Sequence, residues 1–195
     1  MDPENQLLVP DELIEPLPLI EKTAKSLRGA GADDHGMVRP RAKHCLDIRV
    51  GKGSIDRAAR IMDTLVKALD ARDIELVHTE DKEWGTQLIV DGEVLGFRLE
   101  EKTGREKNIP TPAEQKRLDR DSWYRYRFPD YKYFPSGDLS LKLDTGYSSG
   151  LRGTWADGKQ QRVEKCLNKF IAEAYKLAAH QKAAPVSYTH LRAHE

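Results

Sequence analysis

The chain has 195 residues, 32 of them Lys or Arg and 32 Asp or Glu, with 33% charged and 38% hydrophobic positions. That length suits one compact domain, alone or with extensions, and leaves no room for a long repeat array. No run approaches the roughly 18 apolar residues of a membrane span, and the first 20 residues carry five acids and no base, the reverse of a secretory signal, so the cytoplasm is the expected location. A formal net charge of zero excludes the basic balance of a strong free-standing nucleic-acid binder, so any such affinity must come from local patches. Cys45 and Cys166 lie far apart with no second ligand at metal spacing; they read as buried thiols, and no metal or cofactor is expected.

In chain order, residues 1–17 contain Pro3, Pro10 and Pro16 with five acids and no base, an acidic linker that cannot order itself alone. Pro18 opens a short helix with Leu19, Ile20, Ala24 and Leu27 on one side, ended by the glycines from Gly29 to Gly36. Cys45 to Val50 reads as a strand. Ser54 is the expected cap of the strongest amphipathic helix, whose buried stripe is Ile55, Ala58, Ala59, Met62, Leu65, Val66 and Leu69, with Arg57 and Asp63 outside it. Strands follow at Ile74 to Thr79, Gly85 to Val90 and Val94 to Glu101, the last two joined at Asp91-Gly92.

Residues 102–133 carry nine bases and five acids, net +4, with turn signals at Gly104, Pro110 and Pro112 before a short helix at Ala113 to Leu118. A second hairpin is expected from Tyr131 to Phe134, through Pro135-Ser136-Gly137, into Leu139, Leu141 and Leu143. The last helix, capped by Asp157, buries Val163, Cys166, Leu167, Phe170, Ala174, Leu177 and Ala178 and ends near His180. These elements predict an α+β domain over 18–182: a mixed or mostly antiparallel sheet with two hairpins, covered by two long amphipathic helices and a short N-terminal one. Residues 183–195 read as a disordered tail. Within it VSYTHLRAHE, 186–195, resembles a translated frame of a transposon-based sequencing adaptor, which sets its histidines aside and points to an assembled environmental sequence.

Four patterns bear on function. Trp123, Tyr124, Tyr126, Phe128, Tyr131, Tyr133 and Phe134 crowd into twelve positions among Arg125, Arg127 and Lys132. Rings that stack on unpaired bases beside cations that hold phosphates are what single-strand binding requires. The plainer reading makes 124–128 a strand with its rings in the core and its arginines in water. The final helix sets Lys159, Arg162, Lys165, Lys169 and Lys176 along a polar side able to neutralise phosphates, or simply to face solvent. Gly51-Lys52-Gly53-Ser54, between strand and helix, makes Lys52 and Ser54 weak phosphate candidates that a turn and cap explain better. Gly146-Tyr147-Ser148-Ser149-Gly150 matches the nucleophile-elbow formula but is followed by loop where that motif needs a helix.

A catalytic alternative comes from the first hairpin. With its turn at Asp91-Gly92, Glu83 falls opposite Glu100, and Lys102 follows. That cluster resembles the Asp…(Asp/Glu)-x-Lys set of Mg-dependent nucleases, in which two carboxylates bind Mg²⁺ and the lysine orients water or phosphate.

The stretches PLIEKTAKSLR at 18–28, RPRAKHCLDIRVGKGSIDRAARIMDTLVKALDAR at 39–72, SGDLSLKL at 136–143 and TWADGKQQRVEKCLNKF at 154–170 resemble the C-terminal region of an uncharacterised bacterial family found with mobile or variable genome segments. The resemblance implies an upstream helix-turn-helix-like unit, for which nothing before Pro18 is suited, and it implies no catalytic residues. The expected role is therefore an accessory domain of a DNA-associated bacterial protein. It would touch DNA or a DNA-bound protein through Trp123, Arg125, Arg127, Lys132 and the basic helix side. The alternatives are the nuclease and a non-catalytic interaction or oligomerisation domain.

Overall fold

The computed structural model describes residues 6–78, 85–146 and 150–192, with side chains up to residue 183. Proline at its first position starts α1 (Pro18–Gly29), which buries Ile20, Thr23, Ala24 and Leu27 at helical spacing. β1 (Met37–Val38) pairs antiparallel with β2 (Ile48–Gly51), and a 3₁₀ turn over Lys52–Ser54 leads into α2 (Ile55–Asp70). The expected stripe of α2 is buried, and Ile61 and Ala68 with it, because α2 packs on α1 as well as on the sheet. Asp63 lies inside, against expectation: its carboxylate accepts the Leu17 amide at 2.9 Å and pairs with Lys67 at 2.6 Å. Ser54 precedes the helix, yet its side chain makes no capping bond, since the 3₁₀ turn already continues the backbone into α2.

β3 (Glu75–His78), β4 (Thr86–Val90) and β5 (Glu93–Lys107) form an antiparallel meander. Asp91 and Gly92 both adopt positive φ, 51° and 87°, as the primed two-residue turn requires. β5 runs 15 residues and does not stop near Gly104. After α3 (Pro112–Arg120) and α4 (Ser122–Arg127), the chain returns as β6 (Tyr131–Leu143). β6 is one continuous strand, so the second hairpin expected at Pro135-Ser136-Gly137 is not formed; those residues answer a β-bulge between Glu101 and Thr103. The hairpin expected at Asp91-Gly92 is formed, between β4 and β5. β7 (Thr154–Ala156) adds to β6, and a 3₁₀ turn at Val163–Cys166 enters α5 (Leu167–Arg192), whose backbone continues beyond the boundary expected near His180.

The result is the expected α+β fold: one seven-stranded mixed sheet in the order β1-β2-β5-β4-β3, with β6 along the other edge of β5 and β7 outside it. Among the described residues only β2–β5 is parallel. Strand alternation sends Leu88, Val90, Leu95, Phe97, Leu99, Leu139, Leu141 and Leu143 to the helix-covered face. There Phe170 of α5 meets Phe97 at 5.8 Å and Trp155 at 5.3 Å between ring centroids. Arg98, Glu100, Ser140 and Lys142 point to the opposite face. Cys166 is buried as expected; Cys45 is only half-buried.

Residues 6–17, too acidic to order alone, lie along the domain. The Leu7 amide bonds Asn168 of α5, Arg60 reaches the Asp11 carbonyl, and Lys67 the Glu15 carbonyl, while Leu7, Val9, Leu13 and Leu17 pack on the core. No helix among the described residues is long and apolar enough to cross a membrane.

Candidate nucleic-acid interface

Beyond the bulge, β5 and β6 leave the sheet as a two-stranded arm, paired from Thr103↔Pro135 to Lys107↔Tyr131 and closed by α3 and α4. Among the described residues no other strand pairs with this part. Two features fasten its root. Buried Glu101, 3% exposed, accepts the amides of Gly51 at 2.8 Å and Gly137 at 2.6 Å, tying β2 to the β6 bend. The Pro135 ring lies so close to Gly36 and Gly51 that a side chain at either position would collide with it. Gly104 does not end the strand because Phe134, its cross-strand partner, covers it: a Cβ there would stand 2.6 Å from the ring. His35 meets Tyr133 edge-on at 4.8 Å.

The tip folds for local reasons. Thr111 and Glu114 form a reciprocal capping box on α3, and Asp121 accepts the amides of Trp123 and Tyr124 to start α4. Pro129 then bars continuation of that helix. Residues 124–128 are thus helix and turn, not the strand that would have put alternate rings in a core. At helical spacing Tyr124 turns inward, its ring 6.0 Å from Phe128 and under Arg117 at 4.2 Å. Trp123 and Tyr126 turn outward, three residues apart. They are 65% and 85% exposed, and their rings stack at 6.2 Å with 25° between planes. Arg127 lies 5.5 Å over Trp123, and Arg105 lies 5.0 Å over exposed Tyr131. Lys132 is exposed between Tyr131 and Tyr133. Arg125 has a different task, since its guanidinium bonds the Leu118 carbonyl at 2.8 and 3.1 Å and joins α4 to α3.

The basic residues expected along the last helix are not part of this surface, and Lys159, Arg162 and Lys165 do not lie on that helix at all, since α5 begins only at Leu167 after the 3₁₀ turn. Arg162 lies 3.9 Å from Asp138 and 3.6 Å from Asp157, beside the Glu101↔Leu139 pair. The arm's end at Lys107↔Tyr131 is six residues further along β5, about 20 Å at the rise of an extended strand. Lys159, Lys165 and Lys169 are exposed. Asp157 does not cap the long helix directly; it accepts the Val163 amide at 2.9 Å ahead of the 3₁₀ turn and the Leu139 amide at 2.8 Å. It also joins Arg57, which clamps Asp157 at 2.6 Å and Glu164 at 2.7 Å. That clamp was invisible in the sequence, where Arg57 reads as a solvent residue of α2.

The Gly51–Ser54 segment is poorly suited to a phosphate: the Gly51 amide is engaged by the Glu101 carboxylate and Ser54 is buried, although Lys52 is exposed. For the nuclease cluster, Glu83 lies outside the described residues, as do the central residues of the Gly-x-Ser-x-Gly segment. The place opposite Glu100 belongs to Arg49, because β2 takes over the edge of β5 where β4 ends, and Ser140 flanks the other side. Glu100 is held by Lys142 at 2.6 Å and Arg98 at 3.3 Å. Burial pushes its carboxyl up, but the Lys142 hydrogen bond and the surrounding cations leave it below the usual range. Lys102 is exposed at the bulge. Among the described residues no three His, Cys, Asp or Glu side chains gather where they could hold a metal ion.

No family model, no curated protein and no solved structure matches the chain.

Proposed function

We propose that the chain is an accessory, sequence-blind nucleic-acid contact domain of a DNA-associated bacterial protein, and that the β5–β6 arm is its contact element. The observation that carries this reading is the exposed Trp123–Tyr126 stack on a segment of net +4 within a chain of net zero. Exposed rings add base stacking, worth about 1–3 kcal/mol per base, while Arg105, Arg127 and Lys132 hold phosphates. Excess acid elsewhere on the chain confines the attraction to the arm.

Fluorescence anisotropy of a labelled single-stranded oligonucleotide at low salt tests the proposal. Weak binding that falls with salt and is lost in the Trp123→Ala/Tyr126→Ala variant supports it; no binding at low salt removes it. The exposed rings also suit a protein partner. Salt-insensitive self-association in sedimentation, abolished by the same double variant, would favour that second reading instead.

A further inference from the structure

A second cationic feature lies where the arm does not reach. Between the β7 rim and α5 a cleft of about 250 Å³ is lined by Arg152, Trp155, Lys169, Ala172, Glu173 and Lys176. The Arg152 guanidinium lies 5.6 Å over Trp155, and its Nε donates to the Thr154 carbonyl at 2.9 Å, so the group is held in place from two sides. Its terminal nitrogens carry no ion pair among the described residues, and neither does the Lys169 ammonium. Glu173, the one acid, is engaged by the Arg152 amide and Lys176, both at 3.1 Å. Three cations against one carboxylate leave the cleft at net +2.

We propose that this cleft binds a phosphomonoester, either a free nucleotide or the phosphorylated end of a strand. Charge selects the class: a monoester carries about −1.5 to −2 near pH 7, whereas a backbone diester carries a single negative charge and leaves the cleft half-neutralised. A planar guanidinium with its edge free matches the oxygens of a terminal phosphate, and the Lys169 ammonium completes the contact from the helix. The cleft is large enough for a phosphate with part of its sugar and too small for a stacked strand. This inference is independent of the arm.

Isothermal titration of the full chain with adenosine 5′-monophosphate, against 3′,5′-cyclic adenosine monophosphate as the diester control, reads the preference directly. A second pair, 5′-phosphorylated and 5′-hydroxyl oligonucleotides on the Trp123→Ala/Tyr126→Ala background, tests the strand-end source. The expected result is saturable binding of the monoester in at least one pair, weakened about tenfold in Lys169→Ala or Arg152→Ala. Lys159→Ala, outside the cleft, should leave it unchanged. Lack of monoester preference in both pairs, or equal binding by Lys169→Ala and Arg152→Ala variants with native circular dichroism, overturns the proposal.

Discussion

The carboxylate of Glu101 receives the backbone amide of Gly51 at 2.8 Å and that of Gly137 at 2.6 Å, so one buried acid joins the central sheet to the base of the arm. Charge-assisted bonds to buried amides are the costly kind to lose. Glu101→Ala should destabilise the protein by about 3 kcal/mol, with Glu101→Gln costing less because one oxygen still accepts. Urea unfolding measures both; equal midpoints for wild type and Glu101→Ala would refute this account of the root.

Phe134 covering Gly104 makes a more local prediction. Gly104→Val must push the ring away, since even a Cβ would sit 2.6 Å from it. The expected outcome is faster amide exchange in the arm strands and weaker oligonucleotide binding, at a global cost of only about 1 kcal/mol. Unchanged exchange at 103–107 and 131–135 would show that the ring does not brace the arm.

Arg57 holds the same bend of β6 through the Gly137 carbonyl and Asp157. Arg57→Met leaves buried Asp157 with only the more distant, exposed Arg162 as a cation and should cost about 3 kcal/mol at neutral pH. Burial raises the carboxyls of Asp157 and Glu164, but the Arg57 hydrogen bonds outweigh it and hold both below their ordinary values. With folded-state values below unfolded ones, the unfolded chain binds more protons in the interval between. The stabilisation is therefore complete above about pH 5 and disappears as pH falls through the folded values. Thermal melts should show wild type losing stability on acidification more steeply than Arg57→Met. Parallel slopes would contradict the assignment.

The fold class, the positions of α1, α2, α3 and the β4–β5 turn were legible because local signals act there: proline at a helix start, an apolar stripe, two residues suited to positive φ. The arm was not. Gly104 and Pro135-Ser136-Gly137 are turn residues by local chemistry, and only pairing across 30 residues of chain turns them into a glycine under Phe134 and a bulge against Gly51. The aromatic alternation at 124–128 fits a strand on paper, but Asp121 before it and Pro129 after it favour a short helix, which keeps Tyr124 inward and turns Tyr126 out beside Trp123. Arg57 and Glu101 escaped notice because each is one charged residue in a charged stretch, and their partners lie about 100 and 50 positions away.

Placement of the contact is tested most directly by photo-cross-linking a 5-bromouridine-substituted single strand to the full chain at low salt and identifying the modified residues by mass spectrometry. The arm account predicts adducts on Trp123, Tyr126 or Tyr131, lost in the Trp123→Ala/Tyr126→Ala variant. Adducts confined to α5, with none between residues 103 and 135, would contradict it.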